Sequence, residues 1–176
     1  MDQASDEDLV DLSKAGNMDA FKQLVERHEG KVAGVVYSMV GQSPEAEDIG
    51  QEVFIRFYES LDKFRGNAAP STYIIRIAIN LSLNEIKKRK RKQLLFRDAD
   101  TLDHVRSGSS NQDIMDVIQF ELNKLDKEAQ SVLTLRLIEG YSTKETADIL
   151  DIPLGTVLSR LSRGQKKLRT ALTKYL

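Results

Sequence analysis

The sequence predicts an all-α chain of two small helical domains joined by a flexible linker. Three observations carry this. Apolar residues recur at helical spacing through most of the 176 residues, and no strand pattern or internal repeat competes with them. The stretch Gly140–Arg163 spells a helix, a tight turn and a second helix. Between two periodic halves, residues 96–112 hold Asp98-Ala-Asp-Thr-Leu-Asp103 and Ser107-Gly-Ser-Ser-Asn111, a polar run with little to bury. The expected boundaries are therefore 1–95, a linker at 96–112, and 113–176.

Each element has a local reason. Ser5 caps a first helix whose opening turn, Asp6-Glu7-Asp8, suits the positive end of the helix dipole. Phe21, Leu24, Val25, Val32, Val35, Val36 and Met39 keep one helical face apolar. Gly41-Gln-Ser-Pro44 breaks that helix and restarts the chain. Ala46, Ile49, Val53, Phe54, Phe57 and Leu61 then form an apolar stripe. Asp62–Thr72, with Gly66 and Pro70, reads as a loop. Tyr73, Ile74, Ile77, Ala78, Leu81 and Ile86 restart a helix that runs into Lys87-Lys-Arg-Lys-Arg-Lys92. Beyond the linker, Ile114, Val117, Ile118 and Leu122, then Val132, Leu133, Leu135 and Leu137, restore the period.

In the helix-turn-helix, Ser142 and Glu145 make a capping box. Pro153 suits the start of the second helix, where a missing N–H costs nothing. That helix places Thr156, Ser159, Arg160 and Arg163 on its polar side and Val157, Leu161 and Leu168 on its packing side. Short hydroxyls and arginines at the start of a second helix are what major-groove reading requires. Leu158 lies among them, able either to touch a thymine methyl or to pack. Gly164 inside the helix costs about 1 kcal/mol relative to alanine, so the C-terminal end is expected to fray.

Charge and composition narrow the function. The formal net charge is −1, which excludes a uniformly basic nucleic-acid coat. The charge is instead divided: acidic residues lead at the N-terminus, while Pro153 onward carries Arg160, Arg163, Lys166, Lys167, Arg169 and Lys174 and no acidic residue. No cysteine is present, so disulfides and thiolate metal sites are excluded. A start of Met1-Asp-Gln-Ala-Ser-Asp6 has no signal-peptide character, and no apolar run approaches the ~20 residues of a membrane span. The expectation is a cytoplasmic protein with no membrane insertion.

The basic run Lys87–Lys92 has two readings, a solvated face or a phosphate-holding one. It extends a helix with Tyr73, Arg76 and Asn80 on earlier turns, which suits DNA with exposed bases that stack on a ring or bond an amide. The acidic stretch Glu45-Ala-Glu-Asp48 to Glu52 invites a metal reading, yet there is no Glu-x-x-His pair and the two histidines, His28 and His104, are isolated. His28 is expected to pack at a helix edge and His104 to lie in the linker. An acidic, partly apolar helix face fits a basic docking partner better. No glycine-rich phosphate loop, cysteine nucleophile or Ser/His/Asp set is present, so no catalytic residue, metal or cofactor is expected.

Together these pieces resemble the bacterial ECF (extracytoplasmic function) sigma factors. Ala46-Glu-Asp-Ile-Gly-Gln-Glu-Val-Phe-Ile-Arg-Phe-Tyr58 is similar to that family's core-binding helix. Ser71-Thr-Tyr-Ile-Ile-Arg-Ile-Ala-Ile-Asn-Leu81 with its basic tail is similar to the promoter −10 helix, and Gly155–Arg163 with Lys166-Lys-Leu168 to the −35 recognition helix. The resemblance implies a sigma region 2-like domain, a linker and a region 4-like domain. It implies that Asp48, Gln51, Glu52, Phe54, Ile55 and Arg56 bind the β′ and β subunits of RNA polymerase core. The −10 element falls to Phe64, Tyr73, Arg76, Asn80, Lys87, Lys88, Arg89 and Arg91, with a flipped base captured by the Phe64–Thr72 loop. The −35 duplex falls to Arg136, Thr156, Ser159, Arg160, Arg163, Lys166 and Lys167. An anti-sigma factor is the further implied partner, alongside promoter DNA. The chain departs from the family pattern at four places: Tyr73 stands for a usual tryptophan, Asn84 for a common aspartate, Leu158 for a frequent lysine, and Gly164-Gln165 for a frequent Ala-Arg. A stand-alone helix-turn-helix regulator is the rival reading, and it would need a dimer to meet two half-sites.

Overall fold

A computed structural model describes residues 4–95 and 111–175. All the regular structure among these residues is helical: α1 (Asp6–Lys14), α2 (Met18–Val40), α3 (Pro44–Ser60), α4 (Pro70–Leu95), α5 (Asn111–Leu122), α6 (Lys127–Leu133), α7 (Thr143–Leu150) and α8 (Leu154–Leu172). Single 3-10 turns follow α3 and α8, and a π turn, Thr134–Ile138, extends α6. The linker expected at 96–112 lies outside the described residues except at its end, where α5 has begun by Asn111; His104 also lies outside. No helix among the described residues is long and apolar enough to cross a membrane.

Side-chain caps set the helix starts. The backbone N–H of Asp8 donates to Ser5 Oγ at 3.1 Å, and the N–H of Ser5 returns to Asp8 Oδ2 at 3.1 Å. Asn17 accepts from Ala20 N at 3.1 Å to open α2, and Ser43 from Ala46 N at 3.3 Å to open α3, with Pro44 in its first turn. Pro70 opens α4 three residues ahead of the apolar restart at Tyr73. The interval before it is shorter than the sequence suggests, since Leu61–Lys63 winds a 3-10 turn onto the end of α3.

In the N-terminal half, α2, α3 and α4 pack around one core, and α1 covers its flank. Leu24, Val35, Val36 and Met39 of α2 meet Val53 and Phe57 of α3 and Ile74 and Ala78 of α4, all buried. Fully burying a side chain such as Phe57 contributes about 1.5–3 kcal/mol, so these helices hold together through their facing stripes. At one edge Phe57, Phe64 and Tyr73 form an aromatic group, with centroids 5.4 Å apart for the Phe64–Tyr73 pair. His28 is buried beneath α1: its Nε2 lies 2.6 Å from Asp6 Oδ2, and Arg27 Nη1 donates to the other carboxyl oxygen at 3.0 Å. This histidine fastens one helix to the next.

In the C-terminal half, α6, α7 and α8 enclose a smaller core of Val132, Ala147 and Val157. α8 runs unbroken through Gly164 to Leu172. A Cβ placed at Gly164 would stand 3.0 Å from Leu133 Cδ1 and 3.4 Å from the Ala129 methyl. The glycine is buried where α8 lies against Leu133 and Ala129 of α6, and burial there offsets its low helix propensity. The two halves also touch. Leu135 and Ile149, fully and almost fully buried, belong to the same apolar core as the N-terminal helices.

Candidate nucleic-acid interface

The helix-turn-helix is built by short-range bonds. Glu145 N donates to Ser142 Oγ at 3.1 Å and Ser142 N to Glu145 Oε2 at 2.8 Å, completing the capping box. The hydroxyl and amide of Ser142 hold the Glu145 carboxyl below the usual carboxylate range. α7 stops at Asp151, whose φ of 54° is left-handed, and its N–H bonds Ala147 O. An aspartate tolerates that conformation better than a branched residue would. Pro153 then launches α8, with Thr156 N donating to Pro153 O at 2.9 Å.

Along α8 the sequence-assigned residues share an exposed face. Ser159, Arg163, Lys166 and Lys167 are exposed, and Thr156 and Arg160 are half-buried. Arg160 makes no ion pair among the described residues, so its guanidinium is available to phosphates or base edges. Ser159 Oγ donates to Thr156 O at 3.0 Å, and Arg163 Nε lies 3.3 Å from Ser159 O. Lys167 is engaged instead, donating to Asp126 Oδ2 at 3.0 Å across to the start of α6. Leu158 is 49% exposed, so about half of its apolar side chain stays open to solvent. Arg136 sits on the π turn and donates to Tyr141 O, bracing the segment that leads into α7.

On α4 the assigned set divides in three. Asn80, Lys87, Lys88 and Arg91 are exposed, with Lys88 only 3.8 Å from Glu85. Tyr73 and Phe64 are half-buried in the aromatic group that anchors the start of the helix. Arg76 and Arg89 are committed within the chain. Arg89 donates to Val40 O at 2.7 Å, Ser43 Oγ at 3.0 Å and Glu85 Oε1 at 3.1 Å, tying α4 to the α2–α3 junction. Close by, the Glu45 carboxyl is held below its ordinary range, first by its own backbone N–H, then by Ser43, against slight burial and with Arg89 adding charge. Arg76 reaches the other half, donating from Nε to Ile149 O and from Nη2 to Asp148 O, both at 2.9 Å.

The α3 face is displayed largely as its spacing suggests. Asp48, Gln51, Ile55 and Arg56 are exposed, while Val53 and Phe57 point into the core. Glu52 accepts from Arg56 Nε at 2.7 Å, and Phe54 is half-buried against the core. Ile55 and Tyr58, exposed at 52% and 42%, add an apolar centre to this charged surface. Tyr58 closes the motif quoted above but is not among the residues assigned to core binding.

One residue outside any motif shapes the site. Lys14 of α1 donates from Nζ to Phe64 O at 2.9 Å, with the Phe64 ring 5.8 Å away, and so pins the loop ahead of α4. That contact spans fifty positions, and no local pattern announces it. A cleft of about 580 Å³ opens between this loop (Asn67, Ala69, Thr72, with Arg76) and the turn of the helix-turn-helix (Asp148, Asp151). Among the described residues no three His, Cys, Asp or Glu side chains converge as metal ligands would.

With the geometry in hand, known proteins give a consistent picture. The family description "Sigma-70 region 2" matches residues 24–92, and "Sigma-70, region 4" matches residues 115–168. The ECF RNA polymerase sigma factor SigW of Bacillus subtilis is 34% identical, with 90% of this chain and 92% of that protein covered. The ECF RNA polymerase sigma-E factor of Haemophilus influenzae is 32% identical, covering 95% of each. Among solved structures, CnrH in complex with the cytosolic domain of CnrY shares the fold at a TM-score of 0.73 and 24% identity, covering 97% of this chain and 99% of that one. The sigma factor RpoE of Bartonella quintana, solved with the anti-sigma factor NepR, shares it at a TM-score of 0.63 and 21% identity, over 87% and 96% of the two chains.

Proposed function

Because this chain belongs to the family of ECF RNA polymerase sigma factors, we propose that it is a promoter-specificity subunit with no reaction of its own. It binds bacterial RNA polymerase core, through β′ and β, with the α3 face of Asp48, Gln51, Glu52, Phe54, Ile55 and Arg56. The α4 face reads the −10 element, and α8 reads the −35 duplex. Domain limits at 1–95 and 113–176 follow from this division, and its place of action is the cytoplasm, where the polymerase is. The observation that carries the reading is the pairing of two separate displayed surfaces. α3 presents an acidic and apolar face, and α8 presents exposed cations on the second helix of a helix-turn-helix, the element that enters a major groove in such motifs. Neither contact needs to be tight alone, because joining two weak modules raises the effective concentration of each for its target.

Within α4 the labour is narrower than the motif suggests. Asn80, Lys87, Lys88 and Arg91, all exposed, form the DNA-contacting set in this reading, whereas Arg89 supports the fold that presents them. The loop after Phe64, fixed by Lys14, is the candidate receiver of a flipped base, a step that costs a few kcal/mol and is cheapest where the duplex is already opening. An anti-sigma factor completes the proposed set of partners; the fold neighbours CnrH and RpoE were each solved with a bound protein, CnrY and the anti-sigma factor NepR.

Multi-round transcription with purified bacterial core polymerase and fragmented genomic DNA tests the reading. Discrete new transcripts sharing an upstream −35/−10 pair are expected only when the protein is added. Absence of both transcripts and co-elution with core would move the assignment to a stand-alone DNA-binding regulator.

A further inference from the structure

We propose that Leu154 and Leu158 of α8 are specificity residues that read thymine methyl groups in the −35 duplex. This rests on the reading of α8 given above. Surface leucines are ordinary when scattered singly, so the arrangement of these two is what matters. They are 48% and 49% exposed and stand four residues apart, one above the other on the first two turns of the helix. Among the described residues neither packs against the core of Val132, Ala147 and Val157, whereas Leu161, three residues further on, does. Both side chains therefore keep an open apolar surface at the end of α8 that leads a recognition helix into its groove.

The exposed surface of α8 divides into two strips. The helical period places Arg163, Lys166 and Lys167 on one side, with Ser159 among them. Leu154, Leu158, Ser162 and Gln165 fall on the other, all exposed and all uncharged. The first cation along that second line is Arg169, a turn beyond Gln165. Cations hold phosphates, so the first strip serves the backbone, while a leucine has nothing with which to hold one. Base edges are what remain for the leucines to meet. Thymine shows an apolar group in the major groove, its C5-methyl, and a leucine can cover it where it cannot donate to the N7 and O6 acceptors of guanine. A lysine, frequent at the place of Leu158 in similar chains, suits those acceptors instead. The leucine thus changes which base is preferred at that step. Four residues of helix rise about 6 Å, close to two base-pair steps of about 3.4 Å, so the pair spans methyl groups about two steps apart.

The probe is promoter DNA recovered by the transcription experiment above, with each −35 thymine, on either strand, replaced singly by deoxyuridine. That change removes one methyl group and leaves the protein and every hydrogen-bonding edge of the base untouched. Binding is measured with holoenzyme assembled from core and the full-length protein, on intact and substituted DNA side by side. Deoxyuridine is expected to weaken binding about fourfold at one or two positions, the size of one buried methyl-sized group. L158A is expected to bring the ratio to about one at one of them, and L154A together with L158A at all of them. Because the readout is a ratio between two DNAs, a preparation with fewer active molecules still reports it. A ratio near one at every −35 thymine with the unmodified protein would overturn the inference and leave α8 as the −35 helix. So would a thymine preference retained by the L154A/L158A variant, or a recovered −35 element with no thymine on either strand. If no promoter is recovered at all, the sigma reading itself falls, and this inference with it.

Discussion

At the scale of single residues, a side chain's type says less than what it must touch. Gly164 reads as a helix weakness, yet it lets α8 approach Leu133 and Ala129. Gly164→Val would add a branched side chain at 3.0 Å from a fully buried leucine. It is expected to destabilise the protein by about 2 kcal/mol, the range of overpacking, as measured by denaturant unfolding. Unchanged stability would mean that α6 and α8 can separate at no cost. Arg89 reads as one more cation in a phosphate-holding run, yet its fork spans Val40 O, Ser43 Oγ and Glu85. Arg89→Ala should cost about 2 kcal/mol in unfolding free energy, and lysine should recover little, having no planar fork. By contrast Lys87→Ala should leave stability within about 0.5 kcal/mol, since it is exposed. A reversed order of these two effects would return Arg89 to the DNA-contact set.

Elements here are held at their ends as much as along their faces. α6 is only seven residues long, too short to stand on propensity, and Asp126 gives it a start by accepting from Ala129 N at 2.8 Å. The same carboxylate receives Lys167 of α8, so one side chain both caps a helix and joins two. The Ala129 amide first, then Lys167, hold the Asp126 carboxyl below its ordinary range against partial burial. Because the folded pKa is lowered, the stabilisation is present above the unfolded value near 3.9 and is lost as pH falls from there through the folded pKa. The thermal midpoint is therefore expected to drop on acidification below about pH 4. Asp126→Asn keeps the cap without titrating, and should flatten that part of the profile. The capping box of α7 is a second such end: Ser142→Ala should cost about 1 kcal/mol at neutral pH by circular dichroism melts.

At the scale of the whole molecule, three surfaces are separated so that their failures separate too. Asp48→Ala with Gln51→Ala should weaken core polymerase binding first, because both side chains stand exposed on α3, away from α8. Arg160→Ala should lower promoter transcription while leaving core binding intact, because its guanidinium is unpaired within the described chain. Core affinity by fluorescence anisotropy and transcript yield, measured on the same preparations, check both. Equal loss of both activities in Arg160→Ala would contradict the division.

What the amino-acid order determined by itself was everything written in short range. Helical periods, the Ser5 and Ser142 caps, the break at Gly41–Pro44 and the turn before Pro153 are decided within a few residues. So are the exposed faces of α3 and α8, because a 3.6-residue period places Val53 and Phe57 opposite Gln51 and Ile55. What only the tertiary structure decided were the partners of long side chains and of glycines. Arg76 and Asn80 share a helix face, yet one is spent on α7 and the other is exposed. Lys14 finds Phe64 and Gly34 makes room for Glu139 across stretches of chain that carry no mutual pattern. The physical reason is that periodicity encodes which side of a helix faces inward. An arginine's reach and a glycine's missing Cβ take their meaning from whatever element is packed opposite them.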